Sequence, residues 1–197
     1  YYRMVVRKNK RKKNTKKTSK KGKGLLDTAK ALWYGRDKLP PNVRKIMEKH
    51  GNDEIDYIQV ARNPLASSTK LALDVASLGT FSRDAKKLMK EKSYDSLFHL
   101  YMVITLKNGK NILTEKNAQI NMEYKGVRRD ATSKLVSVNK KLSLNTLMAN
   151  TKKRMGAKFL PYDGFKNNCQ SYIISILKAN NLGTETIFKF VKQDTSG

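Results

Sequence analysis

Apolar residues recur along this chain in two rhythms, one returning every third or fourth position and one every second. The first predicts helices. In GLLDTAKALWYG, Leu25, Leu26, Ala29, Leu32 and Trp33 share a face and Gly35 is the stop. In PPNVRKIMEKHG, Pro40 and Pro41 open a helix, Val43, Ile46 and Met47 form its apolar side, and Gly51 closes it. His50 falls in the last turn, where a histidine suits the helix dipole, and is expected to be a capping or surface residue. SSTKLALDVASLG, capped by Ser67 or Ser68, and FSRDAKKLMKEKSYDS, opening at Ser82, read as two further helices. SLNTLMANTKKRMG repeats the pattern with Leu144, Leu147, Met148 and Met155, capped by Ser143 or Asn145 and ended by Gly156. In NNCQSYIISILKANNL, Tyr172, Ile173, Ile176 and Leu177 place the start of a helix almost at Cys169, with Asn167 or Asn168 as its cap. TETIFKFVKQD supplies a last short helix capped by Thr184.

The second rhythm predicts strands. EIDYIQVARNP alternates until Pro64 ends it. LFHLYMVITLKNGKNILTEKN sets two β-rich runs around Asn108-Gly109, the dipeptide favoured in two-residue hairpin turns. Pairing across such a turn puts Thr105 opposite Ile112, Val103 opposite Thr114, Tyr101 opposite Lys116 and Leu100 opposite Asn117. QINMEY continues as a short strand, and the polar stretch 125–142 is expected to be a mobile loop. The chain has no internal repeat. These elements predict an α+β fold, a small antiparallel sheet packed on helices.

Charge alters this picture at one end. Lys and Arg number 42 against 16 Asp and Glu, a formal net charge of +26 over 197 residues. Residues 1–24 hold twelve of the basic residues and no acidic one. Like charges this dense repel, and too little apolar surface is present to offset the entropy of ordering, so the segment is expected to be a disordered tail. Arg7, Lys8, Lys10, Arg11, Lys12, Lys13, Lys16, Lys17, Lys20 and Lys21 form its polyanion-binding set. Counterion release would give salt-dependent binding without base specificity; a solubilising tail or a nuclear import signal is the plainer reading. The chain then divides into a tail at 1–24, a helical extension at 25–53 and a globular domain at 54–197. No stretch approaches the roughly 18 apolar residues of a membrane span, and no signal-peptide core follows the basic N-terminus, so a soluble, unsecreted chain is expected. One cysteine makes neither an internal disulfide nor a thiolate metal cluster, and no metal or other cofactor is expected. Zinc-ligand spacing, a phosphate-binding glycine loop and an interleaved aromatic signature are all missing, which argues against sequence-specific nucleic-acid binding.

The candidate chemistry is at Cys169. In the first turn of a helix, unpaired backbone N–H groups and the helix dipole favour a thiolate and can also receive an oxyanion. A cysteine nucleophile needs a base, and of the two histidines His99 opens a strand whereas His50 ends a helix. The plainer alternatives are a core cysteine and a core histidine bonded to a backbone carbonyl.

A histidine opening a strand (LFHLYMVITLKNGK), a second strand, and later an Asn-Cys dipeptide opening a helix (NNCQSYI) resemble the circularly permuted branch of the papain-like NlpC/P60 superfamily, which includes H-box/NC proteins of the lecithin:retinol acyltransferase type. The longer pattern, EKN on the second strand and YDGFKNNCQSYIISILKANNLG downstream, is similar to uncharacterised proteins encoded by large DNA viruses, virophages and polinton-like elements. The resemblance covers roughly residues 54–192. It implies Cys169 as nucleophile and His99 as general base. Many H-box/NC proteins carry a second histidine on the next strand, where this chain has Glu115, Lys116 and Asn117. In the register above Lys116 shares the face of His99, and an orienting Glu115 or Asn117 requires a bulge or a different register. Asn168 and Gln170 can bring amide dipoles to the thiol, although Gln170 lies too far along the helix to match papain's upstream oxyanion-hole glutamine.

The implied function is a viral thiol hydrolase or acyltransferase acting on an ester or amide, located in the virion and, during assembly, in host cytoplasm or nucleus. The other expectation is a non-catalytic virion structural or core protein on the same scaffold. Partners are nucleic acid or another polyanion through the tail, with acidic membranes or capsid proteins as further candidates and no integral membrane segment. Deleting residues 1–24 should leave the fold intact while weakening binding to DNA and to anionic vesicles at low salt. Filter-binding and vesicle sedimentation across a salt series check this; affinity unchanged by the deletion would show that the tail is not the contact.

Overall fold

The computed structural model describes residues 38–64, 98–162 and 167–192. The tail at 1–24 with its basic residues and the helices expected at 25–35, 67–79 and after Ser82 lie outside the described residues. What is described is an α+β arrangement of one five-stranded antiparallel sheet and four α-helices. In chain order these are α1 (Pro41–His50), β1 (Ile55–Pro64), β2 (Phe98–Leu106), β3 (Asn111–Lys116), β4 (Ile120–Glu123), β5 (Thr132–Ser137), α2 (Leu144–Met155), a short 3-10 turn (Gly156–Lys158), α3 (Cys169–Ala179) and α4 (Glu185–Lys192). The strands lie in the order β4-β3-β2-β1-β5. No helix among the described residues is long and apolar enough to cross a membrane.

The helices form where apolar spacing and caps agree. Ser143 is the cap of α2, its hydroxyl accepting from Thr146 N, and Asn168 is the cap of α3, its Oδ1 accepting from Ser171 N at 3.1 Å. Thr184 Oγ1 accepts from Ile187 N at the start of α4. Helices α2 and α3 pack side by side, and α3 lies on β2 and β3. Ile58, Val60, Leu100, Met102, Ile104 and Ile112 from the sheet meet Leu147, Tyr172, Ile173 and Ile176 from the helices in the main core. Within it the Tyr172 hydroxyl is 3.0 Å from Thr114 Oγ1, which keeps two buried polar groups satisfied. Helix α1 adds Val43, Ile46 and Met47 to the same core and borders β4, where Asn42 Nδ2 donates to Met122 O at 3.0 Å. The opposite face of the sheet carries a smaller cluster of Ala61, Tyr101, Val103 and Leu113, covered by Val127 and Ala131.

Three expectations are corrected. The hairpin register is offset by one residue: Tyr101 faces Glu115, Met102 faces Thr114, Val103 faces Leu113 and Thr105 faces Asn111. The loop holds Lys107, Asn108 and Gly109 between Leu106 and Lys110, with Leu106 N donating to Lys110 O at 2.9 Å and Gly109 N to Leu106 O at 2.8 Å. Gly109, at φ 79°, takes the left-handed position that ends a three-residue loop, so the turn is one residue longer than the Asn-Gly signal implied. Because side chains alternate with period two, that extra residue exchanges the two faces of β3. Secondly, the polar stretch 125–142 contains a strand, β5, which pairs with β1 at the sheet edge and buries only Val136. Thirdly, His50 is buried rather than a surface residue, with Nδ1 2.7 Å from Asp53 Oδ2 and its ring edge-on to Tyr124.

Gly109 has no heavy atom within 4 Å of the position a Cβ would take, so the whole cost of a side chain there is conformational. Gly109→Ala should destabilise the protein by about 1 to 2 kcal/mol, the cost of holding an L-residue in the left-handed region, and Gly109→Asn by less. Urea unfolding of the three proteins checks it; equal midpoints would mean that the loop accepts another conformation.

Candidate active site

The two halves of the site meet where β2 begins and β3 ends. His99 is the second residue of β2, and Cys169 is the first residue of α3, directly after the Asn168 cap. Cys169 is a free, half-buried thiol packed against the main core. His99 Nε2 stands 2.9 Å from Glu115 Oε2, a contact made possible by the hairpin register. An ionised carboxylate only accepts, so Nε2 carries the hydrogen.

Glu115 is the hub of the site. Its side chain is 7% exposed, yet four donors reach its two oxygens. Oε2 accepts from His99 and from Arg128 Nη2 at 2.7 Å; Oε1 accepts from Asn117 Nδ2 at 3.2 Å and from Asn121 Nδ2 at 3.5 Å. Burial works to raise the carboxyl pKa, but the hydrogen bonds and charges of His99 and Arg128 outweigh it and lower the pKa to about 2. Arg128 is itself fixed, its guanidinium 4.5 Å above the Tyr101 ring and its backbone N–H donating to the Tyr101 hydroxyl at 2.9 Å. Asn121 in turn accepts from Asn42 of α1, which ties the first helix to the carboxylate's surroundings.

At His99 burial works to remove the proton. Hydrogen bonding to Cys169 and to Glu115, with the charge of both, outweighs it and raises the imidazole pKa to about 9. The ring therefore carries its proton at neutral pH.

The remaining residues expected at the site divide. Asn117 is exposed and serves Glu115 rather than His99. Lys116, expected on the His99 face, lies on the other side of β3, fully buried, with Nζ donating to Lys158 O at 2.8 Å, Phe159 O at 3.0 Å and Asn167 Oδ1 at 3.1 Å. Burial lowers its pKa to about 8. The exchanged faces of β3 account for both placements. Asn168 caps the helix, as expected of one of the two asparagines, while Gln170 does not turn to the thiol: its Nε2 donates to Val191 O of α4 at 2.9 Å. Arg128, Tyr101 and Asn121 were not singled out in the sequence. Arg128 lies in the stretch read as a loop, and no local pattern marks it.

Among the described residues no cluster of three or more His, Cys, Asp or Glu side chains is placed to hold a metal. Neither protein-family models, nor curated proteins, nor solved structures match this chain.

The paired shifts fix the sign of a pH dependence. His99, raised from 6.5 to about 9, contributes stability that is full below 6.5 and is lost as pH climbs to about 9. Glu115, lowered from 4.5 to about 2, contributes stability that is full above 4.5 and is lost as pH falls toward 2. The stability difference between wild type and Glu115→Gln should therefore be largest between pH 4.5 and 6.5 and shrink on both sides, as measured by urea unfolding across pH. A difference that does not vary with pH would show that the carboxylate is not held by these charges.

Proposed function

We propose that this chain is a thiol hydrolase or acyltransferase of permuted papain-like kind, acting on an ester or amide through an acyl-cysteine intermediate. One observation carries the reading: a strand histidine has its Nε2 held by a buried carboxylate, and a cysteine at the first position of a helix is near enough to help raise its imidazole pKa. Cys169, His99 and Glu115 then act as nucleophile, proton carrier and orienting residue. Glu115 takes the place that the resemblance gives to a second histidine.

The protonation of His99 sets the order of events. An imidazolium cannot take a further proton, so in the proposed reaction His99 acts first as an acid, and the nucleophile is the thiolate form of Cys169. The sulfur attacks the carbonyl carbon and the carbonyl electron pair moves onto oxygen. Ser171 N is taken by the Asn168 side chain and Tyr172 N by the Asn168 carbonyl, which, among the described residues, leaves the amides of Cys169 and Gln170 to receive the oxyanion. On collapse the carbon–leaving-group bond breaks, and His99 gives its proton to the departing oxygen or nitrogen. With Nε2 engaged by Glu115, Nδ1 is the nitrogen left to face the sulfur and the substrate. Neutral His99 then takes a proton from water, or from an acceptor alcohol or amine, as it attacks the thioester, and both thiolate and imidazolium are restored. Cys169 and His99 are each only partly buried, which suits a site that a substrate reaches rather than a sealed scaffold. In this reading the basic tail holds the enzyme to a polyanion of the virion.

Iodoacetamide at pH 7 should alkylate Cys169 several-fold faster than a simple thiol, because the N–H groups of a helix start and a neighbouring imidazolium favour negative charge on sulfur. His99→Ala should remove that advantage, and turnover of any acyl substrate should decline above about pH 9, where the imidazolium is lost. Equal labelling of wild type and His99→Ala, with both folded by circular dichroism, would remove the dyad and leave the virion-scaffold reading standing.

A further inference from the structure

We propose that Lys116 is a positioning residue for the nucleophile: it ties β3 to the chain that leads into Cys169, while its neighbour Glu115, on the other face of the same strand, orients His99. The inference rests on the dyad proposed above. A lysine at 0% exposure normally has a carboxylate partner, yet every acceptor the structure gives Lys116 is neutral. All three ammonium hydrogens are nevertheless directed, to Lys158 O, Phe159 O and Asn167 Oδ1.

Those acceptors are not scattered. Lys158 ends the 3-10 turn after α2 and Phe159 follows it, with the Phe159 ring buried in the main core. Asn167 stands immediately before the cap of α3 and two residues before the nucleophile. Its own Nδ2 donates to Lys158 O and Pro161 O, so its amide group bridges the lysine to the chain on the far side. The ammonium and the Asn167 amide together hold the end of one segment and the start of the next on the last residue of β3. Consecutive residues of a strand are about 3.3 Å apart and project to opposite faces, so the two groups that place His99 and Cys169 share one rigid piece of backbone. A strand shared in this way keeps the sulfur and the imidazole in register while neither need be fixed by its own loop.

Lys116→Met keeps length and removes all three donors, leaving buried acceptors unpaired, which should favour local opening by several-fold to about a hundredfold. It should raise amide hydrogen exchange roughly tenfold at residues 158–162 and 167–171, relative to β2 and β3. The His99 NMR titration midpoint should fall below its wild-type value, because a displaced Cys169 no longer supports the proton, and alkylation of Cys169 should slow in step. Lys116→Arg, which keeps charge and donors, should restore part of all three. A lysine that only stabilises the fold would speed exchange everywhere and leave the His99 midpoint of the folded protein unmoved; that outcome, or no change at 167–171, overturns the proposal. Should Lys116→Met not fold, Asn167→Ala severs the link nearest the nucleophile and carries the same expectations. If wild-type Cys169 shows no rate advantage over a simple thiol, the enzymatic reading fails, whereas exchange and the His99 midpoint still decide what Lys116 positions.

Discussion

A buried carboxylate is stable as an anion only when its lone pairs are met, and the described site is organised around meeting those of Glu115. His99, Arg128, Asn117 and Asn121 converge on its two oxygens from β2, the segment before β5, the end of β3 and β4. Take the carboxylate away and Arg128 is left over the Tyr101 ring without its anion, while His99 loses one of the two partners that hold its proton. The arrangement is a network, and its members gain from one another in surroundings of low dielectric.

That network exists because of a turn. With two residues in the β2–β3 loop, Lys116 would face His99, and a cation would stand beside an imidazole that needs an anion. The third loop residue moves Glu115 into that place and sends Lys116 to the helix side, where it meets the carbonyls of Lys158 and Phe159. Gly109 permits this by accepting a positive φ. A backbone preference at one glycine, some distance along the strands from the chemistry, thus decides which charge approaches the histidine.

This also explains what could be read in the sequence. Helix positions and caps were legible because apolar spacing and Ser, Asn or Thr at the boundary are local signals, as at Ser143, Asn168 and Thr184. That His99 opens a strand and that Cys169 opens a helix were legible on the same grounds, since each belongs to a strongly patterned element. The register was not, because Asn-Gly is compatible with loops of two and of three residues, and the choice between them depends on which faces of β3 find partners elsewhere. Strand β5 was hidden for a related reason: a single buried residue, Val136, gives no alternation to read. His50 was misread because its burial comes from Tyr124 and from Asp53, outside its own helix.

A carboxylate beside the His99 imidazole, rather than a neutral side chain, has a chemical consequence. A neutral amide neighbour would orient the ring while contributing little charge; Glu115 orients it and also stabilises its cation. Left alone, a buried anion would hold the proton so firmly that His99 would be a poor acid. Arg128 counters this by sharing Oε2 with His99, and Asn117 and Asn121 draw on Oε1, so the carboxylate's charge is divided among four donors. Set at about 9, the imidazole keeps its proton at neutral pH, and in the proposed reaction it still lies close enough to that pH to release it to an alkoxide or amine. The donors around Glu115 therefore act on the histidine through the carboxylate, adjusting how readily the proton leaves without touching the ring that carries it.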